Sequence, residues 1–339
     1  MSDQDTILDH LKRQGISRRT FLKFCTLTAS SMALPLSSVS MMVDALAAAP
    51  RPRVIWISGQ ECTGCSESLL RAYDVDENGT ILSATVENMI LNMISLEYHN
   101  TLMAPSGVAA ELSRDQAING GGHVVVIDGS IPLMGDGAWS CVGGRSALDV
   151  IQETVTNAAL VVAVGNCACF GGLPKAVPNP TQAHGVDDLL TNLGLPAHLQ
   201  LNTQAPLINI PGCPPVPEVM TGVLVNFILT SQAPALDHLK RPLPYFGQTV
   251  HDNCSRNAHY RAGQYASSFD GSEAQKGYCL MKLGCKGTLT YNACTTTKWN
   301  KGTSYPMFSG HGCLGCSEPD FWDQQFGNRQ YESFYTPVV

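Results

Sequence analysis

The stretch Arg53-Val54-Ile55-Trp56-Ile57-Ser58-Gly59-Gln60-Glu61-Cys62-Thr63-Gly64-Cys65-Ser66 decides the fold. A short apolar, β-rich run, Val54–Ile57, breaks at a glycine and delivers two cysteines just ahead of a helical pattern from Ser66 to Tyr73. The arrangement recurs along the chain. Val124–Ile127, Leu160–Val164 and Leu207–Ile210 are further apolar runs, and helical patterns near Ser146–Asn157, Val186–Leu193 and Val216–Leu229 alternate with them. Strands alternating with helices predict a mostly parallel sheet covered on both faces. In such sheets, ligands bind beyond the carboxyl ends of the strands.

Two more of these runs end in cysteine-bearing loops, Gly165-Asn166-Cys167 and Pro211-Gly212-Cys213-Pro214-Pro215. Neighbouring parallel strands lie about 4.8 Å apart, so three such loops can converge on one small object. The glycines let the backbone approach it closely, and the prolines stiffen the last loop. Four thiolates suit a [4Fe–4S] cluster or a zinc ion; disulfides are the remaining use of four cysteines.

At 339 residues, the chain is long enough for two domains and a large core. A formal net charge of -7 gives no footprint for nucleic acid. The low content of charged residues, with abundant Gly and Pro, suggests loop surface buried in cofactor sites or against another protein chain.

The N-terminus reads as a targeting segment and is set apart from the fold. Ser17-Arg18-Arg19-Thr20-Phe21-Leu22-Lys23 is a twin-arginine pattern, followed by a mildly apolar stretch from Phe24 to Val43. Ala45-Leu46-Ala47 offers a cleavage site, so residues 1–47 are expected to be a signal peptide and the mature protein periplasmic. Export alone favours disulfides. The twin-arginine route, however, carries proteins already folded, and so suits a chain that acquires metal clusters in the cytoplasm. No later apolar run reaches the roughly 20 residues of a membrane span, and the sequence ends soon after Phe321-Trp322-Asp323 without a hydrophobic tail. Membrane attachment is therefore expected to come from a partner.

A Pro-rich stretch (Pro234, Pro242, Pro244) marks a boundary, giving expected domains over 53–232 and 233–330. The second shows no clear periodicity and is expected to be held by something other than a conventional core. Its ligand candidates are His251, Cys254, Cys279, Cys285, Cys294, Cys313 and Cys316. His259 and His311 are read as structural. Seven donors divide into four and three, an awkward number for zinc, which takes four per ion, and a fitting one for two clusters.

The chain resembles the small subunit of a [NiFe]-hydrogenase from about Arg53 to Trp322. The motifs are Glu61-Cys62-Thr63-Gly64-Cys65-Ser66-Glu67-Ser68, Asp128-Gly129-Ser130-Ile131-Pro132, Pro211-Gly212-Cys213-Pro214-Pro215 and His251-Asp252-Asn253-Cys254. Leu283-Gly284-Cys285-Lys286-Gly287, Tyr291-Asn292-Ala293-Cys294 and Gly310-His311-Gly312-Cys313-Leu314-Gly315-Cys316-Ser317-Glu318-Pro319 complete them. The resemblance implies a flavodoxin-like α/β domain with a proximal [4Fe–4S] cluster on Cys62, Cys65, Cys167 and Cys213, followed by a small, mostly irregular cluster domain. There it implies a distal [4Fe–4S] cluster on His251, Cys254, Cys279 and Cys285, and a medial [3Fe–4S] cluster on Cys294, Cys313 and Cys316. Pro306 matches the family's proline in the place of a fourth cysteine. The Ni–Fe centre belongs to a separate large subunit, so this chain would conduct electrons between that centre and an acceptor such as a c-type cytochrome or a membrane-bound partner.

Of the remaining cysteines, Cys25 lies in the signal segment, and Cys141 and Cys169 are read as buried free thiols. Oxygen-tolerant members of the family carry two extra cysteines at positions corresponding to Gly64 and Gly172, so the chain resembles the standard, oxygen-sensitive type. Glu61 and Thr63 are read either as ordering hydrogen bonds at the large-subunit interface or as capping the helix near Ser66. Two other readings compete: a cluster-bearing subunit of another exported respiratory complex, and a secreted protein stabilised by zinc or disulfides.

Overall fold

The computed structural model describes residues 6–7, 51–72, 89–191, 194–323, 325–326 and 329–330. The twin-arginine pattern, Cys25 and the expected cleavage site lie outside the described residues. Five parallel strands form the central sheet: β1 (Arg53–Ser58), β2 (Ser95–Tyr98), β3 (Val124–Asp128), β4 (Leu160–Val164) and β5 (Leu207–Ile210). Their order is β2-β1-β3-β4-β5, with Val54 opposite Val124, Val124 opposite Leu160, and Val162 opposite Ile208. This is the flavodoxin-like order, and its switch point, where a crevice opens, lies between β1 and β3.

The strand residues alternate between two cores, as the two-residue period of a strand requires. Val54, Trp56, Val124, Val126, Val162 and Ile208 pack on one face with Leu69 of α1 (Gly64–Leu70). The same face carries Val219, Met220 and Val223 of α6 (Pro217–Thr230). Ile55, Ile57, Val125, Ile127, Val161 and Ala163 pack on the other face. Covering them are α2 (Val108–Gly120), α3 (Ala147–Thr154) and α5 (Val186–Leu190). With both faces covered, the inner strands read as unbroken apolar runs, which made them visible in sequence. β2 is an edge strand of mixed polarity, and α2 carries Glu111, Ser113, Arg114, Asp115 and Gln116, so neither has the contrast that reveals an element.

Past residue 233 the chain is mostly turns and short helices, as expected. It does not lack a conventional core, however. Phe246, Val250, Ala293, Tyr305 and Met307 join the same buried cluster as α1 and α6, so this segment borrows the core of the first domain. Side chains bind its turns to one another. Tyr305 Oη accepts from the Ser255 backbone N–H at 2.8 Å, and Arg256 donates to the carbonyls of Met307 and Tyr278, each at 2.7 Å. Among the described residues, no helix is long and apolar enough to cross a membrane.

Candidate metal centres

Cys62, Cys65, Cys167 and Cys213 gather at the carboxyl edge of the sheet. Cys62 and Cys213 lie in loops, as expected, but Cys65 and Cys167 lie in the first turns of α1 and of α4 (Gly165–Phe170), because the chain coils sooner after each strand than the loop reading allowed. The Asn166 N–H donates to Gly212 O at 2.8 Å, tying the β4 and β5 loops together. Glycine is required where these loops meet the sulfurs. A β-carbon at Gly165 (φ 85°) would lie 2.4 Å from Cys65 Sγ, and one at Gly172 (φ 52°) 2.6 Å from Cys167 Sγ. At Gly64 it would lie 3.2 Å from Cys62 Sγ. Gly64 and Gly172 thus both abut sulfurs of this group of four cysteines.

Burial raises the thiol pKa values here, and mutual repulsion raises them further. Cys65 is pushed well above its ordinary value by burial, then by Asp128 and by Cys167, Cys213 and Cys62. Cys167 is pushed to about 12 by burial and then by Cys213. Thiols so placed do not ionise together unless cationic charge sits among them, so the donor set fits a metal cluster.

His251, Cys254, Cys279 and Cys285 come together in the second segment. All four line one pocket together with Arg256, Gly287 and Met307. The Arg256 N–H donates to Cys254 Sγ at 3.4 Å. Burial lowers the His251 pKa, which keeps the imidazole neutral and able to ligate. Its ring stands edge-on to Tyr260, centroids 4.4 Å apart.

Cys294, Cys313 and Cys316 form the third set. Burial pushes Cys294 and Cys316 to about 12 and Cys313 higher still, with repulsion among the three adding to it. Trp299 Nε1 donates to Cys294 Sγ at 3.5 Å. The set is tied to both neighbours: the Cys313 N–H donates to Cys285 Sγ at 3.2 Å, and Asn166, next to Cys167, donates through Nδ2 to Cys316 O at 3.1 Å. Pro306 is exposed and lines an open cavity with Trp299 and Tyr305.

The leftover residues divide. Cys169 is buried in the second core, as expected, with its Sγ 3.3 Å from Ala163 O. Cys141 is exposed, contrary to expectation, because it sits on a two-residue strand of a surface hairpin with Arg145–Ser146. Thr63 occupies the N-cap position of α1 with φ 64°, yet its side chain makes no cap; Oγ1 donates instead to Glu61 Oε1 at 3.4 Å. His259 bonds Gln264 at 2.7 Å, and His311 bonds Gly312 O at 2.8 Å; both serve local structure.

Sequence reasoning missed a buried polar chain behind the first site. Thr101 N–H donates to His99 Nδ1 at 3.0 Å, which leaves the proton on Nε2, facing Ser66 Oγ at 3.4 Å. Ser66 Oγ in turn donates to Asp128 Oδ2 at 3.5 Å. Burial pushes Asp128 up to about 6 and His99 down to about 4. The only signal was a carboxylate ending an apolar strand in Asp128-Gly129-Ser130.

Known proteins resemble this chain over most of its length. A sequence model of the C-terminal part of the NiFe/NiFeSe hydrogenase small subunit matches residues 246–327, and one of the NADH ubiquinone oxidoreductase 20 Kd subunit matches residues 62–227. The uptake hydrogenase small subunit of Azotobacter vinelandii is 41% identical, over 96% of this chain and 85% of its own length. The periplasmic [NiFe] hydrogenase small subunit 1 of Nitratidesulfovibrio vulgaris is 43% identical, over 94% of each. A solved chain of the [NiFeSe]-hydrogenase from Dm. baculatum superposes with a TM-score of 0.72 at 32% identity, covering 85% of this chain and 100% of that one.

Proposed function

The chain belongs to the NiFe/NiFeSe hydrogenase small subunit family, and on that premise we propose that it carries electrons through three iron–sulfur clusters held by eleven side chains. It is the electron-transferring partner of a hydrogenase large subunit, whose Ni–Fe centre interconverts hydrogen with protons and electrons. A proximal [4Fe–4S] cluster is assigned to Cys62, Cys65, Cys167 and Cys213. A distal [4Fe–4S] cluster is assigned to His251, Cys254, Cys279 and Cys285, and a medial [3Fe–4S] cluster to Cys294, Cys313 and Cys316. Bound there, the clusters supply one-electron redox couples. The first domain, 53–232, holds the proximal site, and 233–330 holds the other two.

One observation carries this reading: the third cysteine set is bonded to the segments that bear both others. Asn166, beside Cys167, bonds Cys316 O on one side, and the Cys313 N–H bonds Cys285 Sγ on the other. Three donor sets in a line are what a conducting path needs and what a structural zinc protein does not. The ligands also tune the ends of the line. His251 is a neutral donor, suited to the outer position where an acceptor docks; Pro306, at the medial site, supplies no thiolate. The acceptor is a c-type cytochrome or a membrane-bound partner. The twin-arginine segment over residues 1–47 takes the chain to the periplasm, and glycine at 64 and 172 assigns it to the oxygen-sensitive type.

Iron analysis of the anaerobically purified heterodimer tests the reading. Two four-iron clusters and one three-iron cluster predict about 11 irons per small subunit, plus one with nickel from the large subunit. Zinc or no metal in intact protein would refute it.

A further inference from the structure

The stretch read from sequence as a domain boundary contains a strut. Arg241 is 2% exposed, and its guanidinium lies over the rings of Phe246 and Tyr291, 5.7 and 5.4 Å from their centroids. Its Nε donates to Asp237 Oδ2 at 2.8 Å. Its Nη1 donates to Glu318 Oε1 at 2.9 Å and to Ser317 O at 3.3 Å. Both ends of this contact are anchored. Asp237 Oδ1 accepts from the N–H groups of Leu239 and Arg241, and the turn they form is pinned to β5 by Asn209, which bonds Lys240 O and Leu239 O at 2.9 Å each. β5 runs directly into Cys213. At the other end, Glu318 Oε1 also accepts from the Tyr291 N–H. A second tie runs beside the first: Asn166, next to Cys167, donates through Nδ2 to Cys316 O at 3.1 Å and to Glu318 O at 2.9 Å.

We propose that Arg241, together with Asn166, is a positioning residue for electron transfer between the proximal and medial centres. The two side chains hold the backbone of Cys316–Glu318 against the sheet edge that carries Cys167 and Cys213. The spacing of Cys213 from Cys316 is thereby set by buried protein contacts. Burying a charge with this many partners is costly for stability alone, and hydrophobic residues often replace such groups without loss. Fixing a geometry is what the network is suited to do. The medial-to-distal junction, Cys313 N–H on Cys285 Sγ, does not involve it. The strut therefore acts on one junction and leaves the other alone.

This inference rests on the assignment of Cys213 to the proximal cluster and Cys316 to the medial one. The test uses the purified heterodimer with three variants: Arg241→Lys, which keeps the charge but loses the fork; Asn166→Ala; and Arg241→Met combined with Glu318→Gln, which removes the buried pair together. The readout is the magnetic splitting between neighbouring clusters in electron paramagnetic resonance, together with iron content. The expected result is full iron in Arg241→Lys and Asn166→Ala, with the proximal–medial splitting changed and the medial–distal splitting as in the parent. Unchanged splitting in both of these variants would overturn the proposal. So would equal loss of iron from all three centres in every variant, which would make the network a fold element only. If the parent protein itself lacks three cluster signals, it is the assignment of the clusters that fails, and that failure is read before any variant is made.

Discussion

Replacing Gly165 by alanine should empty the proximal site while leaving the chain folded. Gly165 follows β4 at φ 85°, and its added β-carbon would stand 2.4 Å from Cys65 Sγ. Two costs combine. A left-handed conformation costs a residue with a β-carbon about 1–2 kcal/mol. Overpacking adds about 1–3 kcal/mol as neighbours shift, since optimal contacts lie near 3.5–4.0 Å. The sum, on the order of 2–5 kcal/mol, is smaller than the roughly 5–15 kcal/mol that holds a typical domain together. The fold survives, and relief comes from moving the Cys65 sulfur by about an ångström, which a metal–sulfur bond of about 2.3 Å does not tolerate. Gly64→Ala is the control. Its β-carbon meets Cys62 Sγ at 3.2 Å, Cys62 is exposed, and Gly64 is not in the left-handed region, so that sulfur can yield. In the purified heterodimer, Gly165→Ala should lose about four of the roughly 11 irons proposed for the small subunit, and the signals of the proposed medial and distal centres should persist. Gly64→Ala should keep all of them. Full iron and an unaltered proximal signal in Gly165→Ala would refute the reasoning.

Cys169→Ser should leave iron content and every cluster signal unchanged and lower stability by about 0.5–3 kcal/mol, because the hydroxyl can still donate to Ala163 O; a lost cluster would make Cys169 a ligand. His251→Cys should keep the iron but lower the midpoint potential of the distal centre in a redox titration, since a thiolate replaces a neutral imidazole; an unshifted potential would remove His251 from the ligand set. Asp128 and His99 should act oppositely on stability between pH 4 and 6. Asp128, raised from 3.8 to about 6, keeps a proton the unfolded chain releases, so its contribution falls as pH rises through that window. His99, lowered from 6.5 to about 4, lacks a proton the unfolded chain holds, so its contribution falls as pH drops. Each effect is on the order of 3 kcal/mol, and in the parent they offset. Thermal unfolding should therefore show Asp128→Asn losing stability on acidification and His99→Gln gaining it; parallel slopes would contradict the shared buried chain.

The sequence disclosed what depends on composition and hid what depends on approach. Strands buried on both faces, such as Leu160–Val164, write themselves as apolar runs, and the cysteines at their ends stand out because thiols are scarce elsewhere in those segments. Edge strand β2 and helix α2 face mixed surroundings, so their residues carry no contrast. The surface hairpin that exposes Cys141 is two residues long on each side, too short to register as a period. The polar chain of His99, Ser66 and Asp128 joins residues 33 and 62 positions apart in sequence, and no local pattern reports such a meeting. The same holds for the strut. Pro234, Pro242 and Pro244 signalled an end to regular structure, which is true of the backbone, and so the stretch read as a boundary. Its meaning lies in the partners of Arg241, two of which come from Ser317 and Glu318, 76 and 77 positions away. A domain boundary in the sequence is here a joint held from both sides, and the spacing between two redox centres is the property such a joint would control.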